Sequence, residues 1–69
     1  MIYVFKTSVM TINQVEQLEP FINTIIPKEK WNFDLEDCDR ILRMDCDEER
    51  VLKIVDMLTI HRVYCEELE

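Results

Sequence analysis

Three observations predict an α+β sandwich for this chain. A period-2 run, Trp31, Phe33 and Leu35 against Asn32, Asp34 and Glu36, leads through a polar turn into a second strand-like run, so residues 31–46 read as a β-hairpin. Two stretches carry apolar residues at helical spacing. Runs of β-branched and aromatic residues near either end add two further strands, which makes the order β-α-β-β-α-β.

Ile2 to Ser8 reads as the first strand, and both of its alternating sets, Ile2 and Val4 against Tyr3 and Phe5, are apolar. That pattern suits a central strand, with one set in the core and the other partly exposed. Thr11 followed by Gln14 forms a capping box, and Ile12, Val15, Leu18, Phe21 or Ile22, and Ile25 continue at helical spacing, so a helix is expected over 11–25. Pro20 inside it removes a backbone donor and is expected to bend the helix or split it into two turns. Pro27 closes the segment, and Lys28-Glu29-Lys30 is a polar connector into the hairpin.

In the hairpin, Leu42, Met44 and Cys46 share a face opposite Ile41, Arg43 and Asp45, and Glu36 to Asp39 forms the turn. Asp47 is the expected N-cap of the second helix, with Glu48 and Glu49 in its first turn, where the helix dipole favours carboxylates. Val51, Ile54, Val55 and Leu58 give its apolar stripe, which runs to about His61. Val63 to Leu68 reads as a short closing strand, with Arg62 where a helix-ending glycine is more usual. The chain contains no glycine, so positive φ angles are expected on Asn or Asp.

This order, with right-handed crossovers, is that of a ferredoxin-like βαββαβ sandwich in a single domain over 1–69. It has four antiparallel strands in the order 4-1-3-2 and both helices on one face. The expected core is Trp31, Phe33, Leu42, Val51, Ile54, Val55, Leu58, Ile12, Val15 and Leu18. The other sheet face is left open. If Tyr3 and Phe5, or Ile2 and Val4, emerge there beside Ile41, they form an apolar strip edged by Asn32, Asp34, Arg43 and Asp45. Such a strip suits a protein partner or a second copy. Arg43 beside Asp34 or Asp45 of a second copy could set the register of a symmetric dimer, but two chains of charge −7 repel, so a monomer is the expectation.

Sixty-nine residues, 48% apolar and 33% charged, have the balance of a small folded domain. Fifteen acids against eight bases argue against a chain that grips phosphate backbones, and so against nucleic-acid binding. Eight of those acids fall between Asp34 and Glu49, read as a solvated surface. Three cysteines, with no C-x-x-C among them, leave neither a disulfide framework nor a zinc-ribbon spacing. Free thiols suggest a reducing compartment, and the apolar run at Met1 to Phe5 is too short for a signal core or a membrane span, so a cytoplasmic protein is expected. No Gly-rich phosphate loop or nucleophile elbow is present, and there is one histidine. The expectation is a non-enzyme without a cofactor.

The junction Val9-Met10-Thr11-Ile12-Asn13-Gln14-Val15 resembles the metal loop of the heavy-metal-associated domains, the fold of small copper chaperones. Those domains carry Met-Thr-Cys-x-x-Cys between the first strand and first helix, and Met10-Thr11 matches, as do topology and length over nearly the whole chain. Ile12 and Val15 stand where the two cysteines would be, and Cu(I) wants thiolates. The resemblance therefore implies the fold without its metal site, with Ile12 and Val15 as core residues and a role in protein interaction or regulation. The alternative is a displaced metal site. The end of the first strand, the hairpin turn and the end of the second helix share one edge of this topology, which could gather Met10, Cys38 and His61. Asp37 and Asp39 beside Cys38 would raise its thiol pKa and oppose that chemistry. Cys46 and Cys65 are expected to pack as small hydrophobes.

Overall fold

The computed structural model describes residues 1–36 and 40–68. Among these, β1 (Ile2–Thr7) leads to α1 (Ile12–Asn23), a single 3-10 turn (Lys28–Lys30), β2 (Trp31–Asp34), β3 (Ile41–Asp45), α2 (Glu48–Ile60) and β4 (Cys65–Glu67). The fold is α+β, with one four-stranded sheet in which every pairing is antiparallel. The strands lie in the order β2-β3-β1-β4, which names the same neighbours as 4-1-3-2 when counted from the opposite edge. β1 and β3 are therefore the two interior strands.

Register decides which set of β1 faces the core. Tyr3 lies opposite Met44 and Phe5 opposite Leu42, while Trp31 and Phe33 of β2 lie opposite the same two residues of β3. These side chains meet Val15, Leu18 and Ile22 of α1 and Val51, Ile54 and Leu58 of α2 in one apolar cluster. Both helices thus bury their stripes on the same sheet face. Trp31 ties the end of α1 to β2, because its Nε1 donates to Asn23 Oδ1 at 2.9 Å and Lys28 Nζ stands 5.0 Å above its ring.

α1 begins as its capping box requires. The Gln14 amide N–H donates to Thr11 Oγ1, and Gln14 Oε1 accepts from the amides of Thr11 and Met10. Pro20 does not split the helix, which is continuous from Ile12 to Asn23. The carbonyl deprived of its donor is that of Glu16, and Glu16 and Pro20 are both exposed, so water can supply the missing bond.

Ile12 corrects the expected core. At 60% exposure it lies outside the packed stripe, whose first buried member is Val15. Val9 and Ile26 from the connectors, Phe5 and Met44 from the strands, and Val63 beyond α2 complete the cluster, while Phe33 and Val55 pack at its margin.

α2 ends in a Schellman motif: the Val63 amide donates to the Leu58 carbonyl at 2.8 Å and the Arg62 amide to that of Thr59 at 3.0 Å. Leu58 and Val63 are both buried, which supplies the apolar contact that accompanies this turn. Arg62 takes φ 63°, and the other positive φ among the described residues is 52° at Arg40. The expectation of Asn or Asp at such angles is therefore corrected to arginine twice. β4 is correspondingly shorter than 63–68, because Val63 and Tyr64 serve the turn out of α2.

Candidate functional site

The alternation that sends Tyr3, Phe5, Leu42 and Met44 into the core sends Ile2, Val4 and Lys6 of β1, and Ile41, Arg43 and Asp45 of β3, to the other face. Asn32 and Asp34 of β2 flank them on one side. Glu66 lies opposite Lys6 on the β4 side, and the Leu68 amide donates to the Val4 carbonyl. Neither helix covers this face. Ile2 is 65% exposed, Val4 and Leu68 are half-buried, and Ile41, at 4% exposure, belongs to none of the core packing. Of the two alternatives for the apolar strip, Ile2 and Val4 are the residues that emerge.

Charges stud the strip in pairs. Arg43 reaches Asp34 at 3.6 Å; Asp45 lies 4.0 Å from Lys30 Nζ and 3.3 Å from the Met1 amino group. All of these groups are substantially exposed, so each pair contributes little and can be exchanged for another at small cost. Lys6, Lys30 and Arg43 stand against Asp34, Asp45 and Glu66 on the face and Glu29 in the groove beside it, so this side carries one net negative formal charge and −6 lies on the rest of the molecule. A shallow, mainly apolar groove continues the strip toward the β2 edge, lined by Ile2, Trp31, Met44 and Asn32 together with the charged Glu29, Lys30, Arg43 and Asp45. Lys30, Leu68 and Glu66 were not expected on this face. The period-2 pattern of the closing strand could have placed the last two, whereas Lys30 comes from the connector, where no periodicity applies.

The residues of the displaced metal site are placed as follows. Met10, 60% exposed, follows β1, and its amide is held by Gln14. His61 caps α2, and its ring packs at a 48° tilt against Phe21 of α1 with centroids 4.5 Å apart. Gln14 and His61 line one crevice together with Gln17, Leu18 and Val63, so the start of α1 and the end of α2 do share an edge. Cys38, with Asp37 and Asp39, lies outside the described residues. Among the described residues no three His, Cys, Asp or Glu side chains gather as a metal-binding group.

Cys46 and Cys65 are free and half-buried beside the core. Burial raises both thiol pKa values, and the Asp47 carboxylate raises that of Cys46 further. Each thiol is held in its less nucleophilic form. Asp47 makes no capping bond with its side chain; it accepts instead from Arg50 Nη1 at 2.7 Å, and that bond lowers its pKa.

No family model, curated protein or solved structure matches the chain. No helix among the described residues is long and apolar enough to cross a membrane.

Proposed function

We propose that this chain is a non-catalytic ferredoxin-like domain, similar to the heavy-metal-associated fold without its metal site, that works as a protein-interaction module through the open face of its sheet. The observation that carries this reading is that Ile2, Val4 and Leu68 come to the surface on the face that neither helix covers, over a buried Ile41. A contiguous apolar strip with a polar rim is the usual composition of a docking surface, and here folding leaves it unused. Neither helix covers it, because both helical stripes are committed to the opposite face.

A photo-crosslinking residue in place of Ile2 tests the reading in cells, with the same residue in place of Leu52, exposed on α2, as the control. Adducts from the sheet position and none from the helix position are expected. Equal labelling at both, or none at either, overturns it. The metal reading is tested by adding Cu(I) to reduced protein under a competing chelator. Stoichiometric retention that Cys38→Ser abolishes would replace docking by metal binding as the function.

A further inference from the structure

The register of β1 against β3 sets four side chains of the open face in a square. Ile2 lies across from Asp45 and Val4 across from Arg43, so one strand carries two branched apolar residues and the other a cation and an anion two positions apart. A square of this kind complements itself. A two-fold axis lying in the plane of the face, at right angles to the strands and midway between the two rows, sets β1 on β1 and β3 on β3 with their directions reversed. Each row then meets the other row of the second copy. Val4 of each chain meets Ile2 of its neighbour, and Arg43 meets Asp45, each contact occurring twice. No other placement of an in-plane axis across the strands does this: moved onto the Val4–Arg43 row it stacks two guanidinium groups, and moved onto the Ile2–Asp45 row, two carboxylates.

We propose that a second copy of this chain occupies the open face in that arrangement; the proposal rests on the docking reading above. Charge supports it independently. Two chains of −7 repel wherever their acidic surfaces meet, but this side carries only one net negative formal charge, so two copies approach through it with little penalty. The resident partners of Arg43 and Asp45 are exposed ion pairs, and exchanging them for a neighbour's groups loses little. Size makes the association weak. The molecule measures 26 × 25 × 22 Å, so a flat face offers less than the roughly 800 Å² per partner of a standard interface. A dissociation constant on the order of 100 µM is expected. Salt tightens it, because the long-range repulsion of the two monopoles is screened before the close contacts are.

Sedimentation equilibrium over a concentration series, at low and high salt, reads the association as a mass rising from 8.4 kDa toward twice that value. Arg43→Asp and Asp45→Arg should each return the protein to monomer, since either leaves like charges facing across the axis. The double exchange, Arg43→Asp with Asp45→Arg, should restore the dimer. Both sites are exposed, and the circular dichroism spectrum shows that each variant is folded. A wild-type chain that stays monomeric at about 1 mM in high salt overturns the proposal, as does association that survives either single reversal. The crosslinker at position 2 then separates the two failures: adducts of foreign mass keep the docking reading without the self-pair, whereas no adducts remove both.

Discussion

Arg62 holds the left-handed conformation that ends α2, and the backbone of an L-residue pays about 1–2 kcal/mol for that region. It persists because Val63, one residue on, is buried against Leu58 and the two Schellman bonds close only if the chain reverses there. Arg62→Gly removes the steric penalty and returns some entropy to the unfolded chain, so a net gain of up to about 1 kcal/mol is expected. Arg62→Val, β-branched at positive φ, should lose about 1–2 kcal/mol. Urea denaturation with an unchanged slope measures both. A Gly variant no more stable than the parent would mean that the arginine side chain contributes something that offsets its strain. The sequence shows Arg62 standing where a helix-ending glycine is usual; that the arginine itself takes the positive φ is not legible there, where Asn or Asp is expected. Propensity ranks Asn and Asp first at positive φ, but here the burial of Val63, a long-range matter, decides that the turn must form whatever residue occupies it.

For the elements, hydrophobic period proved a sound guide to where helices and strands lie, and a poorer one to which connector residues are buried. The capping box Thr11–Gln14, the hairpin and the α2 stripe were all legible, because each is a local pattern with a local cause. Val9, Ile26 and Val63 are core residues that stand outside any repeat, so counting periods misses them. Ile12 satisfies the period but occupies the first position of α1, where the stripe has not yet come round to the sheet. Truncation separates the two kinds of residue. Leu58→Ala and Leu18→Ala, both in the packed cluster, should each lose about 2–5 kcal/mol, whereas Ile12→Ala should change stability by only a few tenths. Thr11→Ala breaks the capping box at about 1 kcal/mol. Thermal or urea denaturation checks the set, and an Ile12→Ala loss equal to that of Leu18→Ala would place Ile12 back in the core. The open face was legible as far as the choice between two sets of β1; only the register against β3 settled it, and that depends on the distant pairing of residues 2–6 with 41–45.

At the scale of the whole molecule, stability should fall as pH rises into the alkaline range. Burial raises the pKa of the Cys46 and Cys65 thiols above the ordinary thiol value of 9.0, and that of Tyr3 above 10.0. A folded value raised above the unfolded one means that the folded chain holds its proton more tightly, so the contribution is fully present below about pH 9 and is lost as pH climbs through the raised values. Asp47 works in the opposite sense: the Arg50 bond lowers its pKa below 3.8, so its contribution is present above that value and fades as pH falls, and at so exposed a pair it is small. The alkaline loss has a second source, since each new thiolate adds to a net charge already at −7 and to the self-repulsion of the compact state. Salt tells the two apart. Raising ionic strength should recover the repulsive part and leave the burial part, which arises from desolvating a charge and is screened weakly. With Cys46→Ala and Cys65→Ala combined, the midpoint of urea denaturation is expected to stay level through pH 9 and to begin its fall nearer the tyrosine range. If the doubly substituted protein loses stability from pH 9 as steeply as the parent, the two thiols do not govern the alkaline limb and net charge alone accounts for it.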